Sequence, residues 1–210
     1  MNPQDFSYGL YPVVTEEFCA GRDMRDVLRQ ILDGGAKIVQ LRQKNKADRE
    51  LFLLAKQYRD ITRQYRAAFI LNDRVDIALA VEADGVHLGQ NDLPCKVARK
   101  LAPQLLIGVS THTQDDIRRA EKEGASYVNI GPLFSTQTKA TSITPLGLDY
   151  LRKIKTALPF SVMGGIKRHH LKSLLECGVK NIAMVTEITQ AKDISKTVKD
   201  FLAEIRSGLQ

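Results

Sequence analysis

The sequence has no tryptophan, and aromatic residues make up only 6% of its 210 positions. Its three cysteines, Cys19, Cys95 and Cys177, are odd in number, far apart and in no metal-ligand spacing. That argues against a disulfide scaffold or zinc knuckle and favours a reducing compartment. No run of 18 apolar residues occurs, and the first residues, MNPQDFSYGLYPVVTEEF, lack a basic start followed by a long apolar stretch. The expectation is a soluble, cytoplasmic protein with no membrane partner. Two catalytic signatures are also missing. There is no G-x-x-x-x-G-K loop, and Gly108-Val109-Ser110 runs on into Thr111-His112 rather than completing G-x-S-x-G. A P-loop NTPase and a serine-triad hydrolase are therefore unsupported.

What is present is a balance of 43% hydrophobic and 26% charged residues without linker or low-complexity tract, which fits one globular domain spanning 1–210. Lys plus Arg is 31 against 24 Asp plus Glu, a net charge of +7. Such a surplus suits nucleic acid, an anionic surface or small anionic substrates equally well.

Short runs rich in Val, Ile and Leu recur at 11–15, 37–42, 68–72, 85–89, 105–110, 127–132, 160–165 and 181–185, separated by segments of helical period such as 49–65 and 196–205. Apolar runs without strict alternation suit strands covered on both faces, hence parallel pairing. Eight such strands alternating with eight helices predict an α/β fold: a compact, single-domain (β/α)8 TIM barrel with strand one beginning near 11. A doubly wound open sheet is the alternative. Residues 135–147, with six Ser or Thr and no acid or aromatic, are long for a strand-to-helix connection and read as a flexible substrate loop.

In a barrel, polar residues at the carboxyl ends of strands carry the chemistry. Gln40, Arg42 and, if the strand continues that far, Lys44 share one side by period two and suit a diphosphate; solvation of Arg42 and Lys44 where the chain leaves the sheet is the lesser alternative. Asp73 after Asn72, and Asp92 at the end of His87-Leu-Gly-Gln-Asn-Asp92, form a carboxylate pair at neighbouring strand tips. Two carboxylates suffice for Mg²⁺ with substrate phosphate, and helix capping is the competing role. His87 is expected to brace a neighbouring strand end rather than act as a base. Ser110 could donate to a phosphate or a ring nitrogen. Thr136, Thr138 and Lys139 form a candidate phosphate clamp, and Gly165 and Thr186 stand where barrels often hold phosphate. Two anionic substrates, one a diphosphate needing Mg²⁺, imply a transfer in which diphosphate departs, a reaction needing charge neutralisation more than a base.

Taken together, Gln40-Leu-Arg42-Gln-Lys44, Asn72-Asp73, His87-Leu-Gly-Gln-Asn-Asp92, Gly108-Val-Ser110-Thr-His112, Gly131-Pro-Leu-Phe-Ser-Thr136-Gln-Thr138-Lys139, Gly164-Gly165-Ile166 and Val185-Thr186 resemble the thiamine-phosphate synthase and thiazole tautomerase family, from about Tyr11 to the last helix. The resemblance implies a transferase of thiamine biosynthesis that joins the hydroxymethylpyrimidine diphosphate to the thiazole phosphate, or its carboxylated form, by a dissociative mechanism. It implies a pyrimidine-diphosphate site at Gln40, Leu41, Arg42, Gln43, Lys44, Asn72, Ser110 and Lys139. Of these, Arg42, Lys44, Ser110 and Lys139 are the catalytic candidates. It places Mg²⁺ on Asp73 and Asp92, and the thiazole phosphate on Thr136, Gln137, Thr138, Gly165, Val185 and Thr186. Glu187, where the family has a small residue, is expected to face away from the phosphate. The partners are then two small phosphorylated substrates, with no nucleic acid or membrane, and a homodimer is left open. The tautomerase branch has no need of the paired Asp residues or the cation group. A nucleic-acid binder would need aromatic residues interleaved with its basic ones, and none are.

Overall fold

The computed structural model describes residues 6–136 and 143–209. Eight strands close on themselves in sequence order: β1 (Gly9–Val14), β2 (Ile38–Leu41), β3 (Ala68–Asn72), β4 (Gly85–Leu88), β5 (Leu106–Thr111), β6 (Tyr127–Ile130), β7 (Phe160–Val162) and β8 (Asn181–Met184). Every pairing is parallel, and β1 completes the ring against β8 through Leu10↔Ile182 and Tyr11↔Ala183. The fold is the expected single-domain (β/α)8 barrel. The strand positions agree with the apolar runs to within a few residues, and β1 starts two residues before Tyr11.

The helices form where an apolar stripe can meet the outer face of the strands. In α2 (Asp48–Gln64), Leu51, Ala55, Tyr58, Ile61 and Thr62 are buried, a stripe of helical period. The others are α1 (Met24–Asp33), α3 (Val75–Ala80), α4 (Cys95–Leu101), α5 (Gln114–Lys122), α6 (Gly147–Lys153) and α7 (Leu171–Glu176). After β8 the chain departs from eight equal units, because two helices follow: the four-residue α8 (Thr186–Thr189) and α9 (Ile194–Ser207). Asp193 separates them, accepting a hydrogen bond from the Lys196 amide as the cap of α9, and Arg22 donates to the Ala191 carbonyl (2.9 Å). No helix among the described residues is long and apolar enough to cross a membrane. All three cysteines are free, and burial pushes the Cys19 and Cys95 thiols up to about 11.

Period two splits each strand between two cores. Leu10, Val39, Leu41, Phe69, Leu71, Val86 and Ile107 pack against the helices, while Tyr11, Ile38, Ala68, Ile70, Leu106, Tyr127 and Ala183 fill the barrel, with Phe6 joining them. Phe6 stacks on Tyr127 with ring centroids 4.2 Å apart. The interior is not wholly apolar. Gln40 Nε2 donates to the Tyr11 hydroxyl (2.9 Å), which bonds the Tyr127 hydroxyl (2.9 Å); Tyr127 approaches His87 Nδ1 (3.2 Å), and His87 Nε2 bonds Ser110 Oγ (2.9 Å). Burial pushes both phenols up in pKa, so they stay protonated and available as donors. This chain crosses the barrel beneath its mouth and fixes Gln40 below the rim and Ser110 at the cavity wall.

Gly108 makes that crossing possible. A Cβ there would lie 2.1 Å from Tyr127 Cζ and 2.6 Å from His87 Nδ1, and Tyr127 cannot withdraw because Phe6 is stacked on it. Gly108→Ala is expected to lower stability by about 3 kcal/mol, the upper range for overpacking. Urea unfolding measures this, and an unchanged midpoint would show that the interior can repack.

Candidate active site

The carboxyl ends of the strands open into a cavity of ≈ 620 Å³. Its lining includes Arg42 after β2, Ser110 on β5, Asn129 on β6, Thr136 beyond β6, Gly165 after β7, and Val185 and Thr186 after β8. Residues far apart in sequence thus converge because each lies near the carboxyl end of its strand or within a few residues beyond it.

The two carboxylates stand beyond the ends of β3 and β4, outside the residues that line this cavity. Asp73 follows β3 with φ +63°, a left-handed conformation that Asp tolerates, and its amide donates to the His87 carbonyl (2.8 Å). Asp92 is held by the Gly89 amide, which donates to its Oδ2 (2.7 Å). Neither residue caps a helix: the residues before α3 and α4 are Arg74 and Pro94, and neither makes a side-chain cap bond. Lys44 Nζ instead bonds Asp73 and lies 3.9 Å from Asp92 Oδ1, so one cation sits between two carboxylates. Burial first, then the neighbouring Asp92, pushes the Asp73 carboxyl up to about 6 against the pull of Lys44. Among the described residues no group of three or more His, Cys, Asp or Glu side chains could hold a metal. The pair fits a hard cation that takes few protein oxygens and completes its shell with water and phosphate, as Mg²⁺ does.

Several expected binding residues are placed differently from one another. Gln40 and Asn72 point inward and are buried below the rim. The amide nitrogen of Asn72 has no protein partner among the described residues. Leu41 packs in the helix layer and Gln43 donates to Met24 Sδ (3.0 Å), and neither lines the cavity. Both offsets follow from period two, which sends alternate residues outward. Gln137, Thr138 and Lys139 lie outside the described residues.

Gly164 and Gly165 have φ +97° and +62°. A Cβ on Gly164 would come 2.4 Å from Pro132 Cβ, and one on Gly165 would come 2.1 Å from the Ser135 carbonyl oxygen. Their first task is therefore to admit the segment leaving β6, which brings Thr136 to the same wall as Thr186. Glu187 differs from expectation: it does not face away but lines the cavity, with Lys167 Nζ bonded to its Oε1 (2.7 Å). Lys167, Asn129 and His112 also line the cavity and were not among the expected binding residues. Asn129 is 2% exposed, and neither polar atom of its amide has a protein partner among the described residues. Its inward position on β6 was the sequence signal for it. His112 Nδ1 bonds the Gly131 carbonyl, which occupies it structurally.

Comparison with known proteins shows the family. The family model described as thiamine monophosphate synthase matches residues 10–188. A thiamine-phosphate synthase of Shouchella clausii is 39% identical over 97% of this chain and 99% of its own length. One from Caldicellulosiruptor saccharolyticus is 42% identical over 92% and 89%. Among solved structures, the thiamine phosphate pyrophosphorylase of Pyrococcus furiosus superposes with a TM-score of 0.89 at 34% identity, covering 100% of this chain and 98% of that one.

Proposed function

The chain belongs to the thiamine monophosphate synthase family, and we propose that its mouth divides the reaction between a half that takes the leaving diphosphate and a half that holds a phosphate which does not react. The activity is that of its relatives, a transfer giving thiamine phosphate. In it, the hydroxymethylpyrimidine diphosphate is joined to the thiazole phosphate and diphosphate is released. The observation that carries the division is the Lys44 ammonium held between Asp73 and Asp92 beyond β3 and β4, while Gly165 and Thr186 follow β7 and β8 on the opposite side of the closed ring.

In the leaving-group half, Asp73 and Asp92 would hold Mg²⁺, which when bound neutralises charge on the diphosphate oxygens. Arg42 supplies a planar fork for those oxygens and Lys44 a second positive charge beside them. Lys139 adds a third by its place in the family motif. Ser110, oriented by His87, presents its hydroxyl at the same side, and Gln40 and Asn72 face the pyrimidine ring from below. Because diphosphate leaves readily once neutralised, an aminopyrimidine-stabilised methylene cation can form without a general base, and the thiazole nitrogen then attacks it. In the other half, Thr136 to Thr138, Gly165, Val185 and Thr186 take the thiazole phosphate. The domain spans 1–210, and 135–147, of which 137–142 lie outside the described residues, would serve as a substrate loop.

The test of function is incubation with both phosphorylated precursors and Mg²⁺, with thiamine phosphate detected by mass. Product is expected only when all three components are present. Product without the pyrimidine diphosphate, or isomerised thiazole phosphate alone, would contradict the assignment. A third expected result concerns the loop: proteolysis within 135–147 should slow when both substrates and Mg²⁺ are added, and equal cleavage with and without them would count against a closing loop.

A further inference from the structure

An acid on the wall of a phosphate site needs an explanation. Glu187 directly follows Thr186, lines the same cavity as Gly165 and Thr186, and is 27% exposed at its side chain. An uncompensated carboxylate there would repel a phosphate dianion. Lys167, two residues beyond Gly165, lines that cavity too and places its Nζ 2.7 Å from Glu187 Oε1. Its backbone is fixed: the Lys167 amide donates to His170 Nδ1 (3.0 Å), and the His170 ring is stacked on Phe134 with centroids 3.7 Å apart. Its ammonium end is paired with Glu187 yet open to solvent, the side chain being 49% exposed. A lysine anchored at its base and open at its tip can serve either of two anions within reach of that wall.

We propose that Lys167 and Glu187 form a charge pair that sets phosphate affinity in this half of the mouth. Lys167 is a further phosphate-binding residue, and Glu187 is the counterweight that keeps its charge partly engaged. The pair carries no net charge, so the pocket neither repels the thiazole phosphate nor holds the product phosphate too firmly for release. This rests on the placement of the thiazole phosphate at Gly165 and Thr186.

The experiment compares Glu187→Gln, Lys167→Ala and the double variant, varying each substrate independently at saturating Mg²⁺, with Thr186→Val as a reference for the site and thermal melting to confirm folding. Glu187→Gln should lower the thiazole-phosphate KM about threefold by freeing Lys167, and Lys167→Ala should raise it about tenfold by leaving Glu187 bare. The double variant should return to within about threefold of the parent, and kcat and the pyrimidine-diphosphate KM should move less than about twofold throughout. A structural role alone would not produce opposite signs and mutual rescue. If Thr186→Val raises the thiazole-phosphate KM while neither charge variant moves it, the pair is not an affinity element and the site assignment stands. If none of the variants, Thr186→Val included, moves that KM, the assignment of the phosphate to this wall falls with the proposal.

Discussion

Asp73→Asn should cut Mg²⁺-dependent turnover by about 10²- to 10³-fold while leaving the fold intact, since charge stabilisation of several kcal/mol by a bound cation corresponds to that range at 1.36 kcal/mol per factor of ten. Asn is the suitable replacement. It tolerates the left-handed backbone at φ +63°, and it keeps an oxygen without the charge. The two carboxylates face one ammonium, so removing one negative charge also relieves repulsion with Asp92. The melting temperature should therefore hold or rise slightly as activity is lost. Raising Mg²⁺ should recover part of the rate, because a site with one carboxylate still binds weakly. Unchanged turnover at limiting Mg²⁺ would remove Asp73 from the metal site, and a collapsed melting temperature would make its role structural.

Arg42→Ala and Lys139→Ala should lower kcat by about 10²-fold, the loss typical of a single group aimed at charge that develops in the transition state. Thr136→Ala and Thr138→Ala should instead raise the thiazole-phosphate KM several-fold with kcat little changed. The difference follows from what each half does. Contacts that strengthen as diphosphate departs appear in kcat, and contacts made equally before and during reaction appear in KM. Steady-state assays varying both substrates, with circular dichroism as a folding control, separate the cases. If Lys139→Ala raised only the thiazole-phosphate KM while Thr138→Ala cut kcat alone, the two halves would be wrongly divided.

The barrel was legible because its strands are continuous apolar runs at regular spacing, and the run at 181–185 was as readable as the one at 68–72. The extra helix after β8 was not, since its four residues carry too short a period to register. At the site, Arg42, Ser110, Thr136, Gly165 and Thr186 reached one cavity because strand ends converge in any closed barrel. The chain from Gln40 through Tyr11, Tyr127 and His87 to Ser110 was hidden, because it joins five strands across the interior and period two says only which face a residue takes. Glu187 was misplaced for a related reason. An acid beside a phosphate reads as unfavourable until its partner is known, and Lys167 lies twenty residues away, after β7.

A crystal structure with Mg²⁺, diphosphate and thiamine phosphate bound would display the division of the mouth itself. The cation should lie between Asp73 and Asp92, the diphosphate on Arg42 and Lys44, and the phosphate of thiamine phosphate against Gly165 and Thr186. A cation remote from both carboxylates, or diphosphate seated on the Gly165 and Thr186 wall, would contradict it.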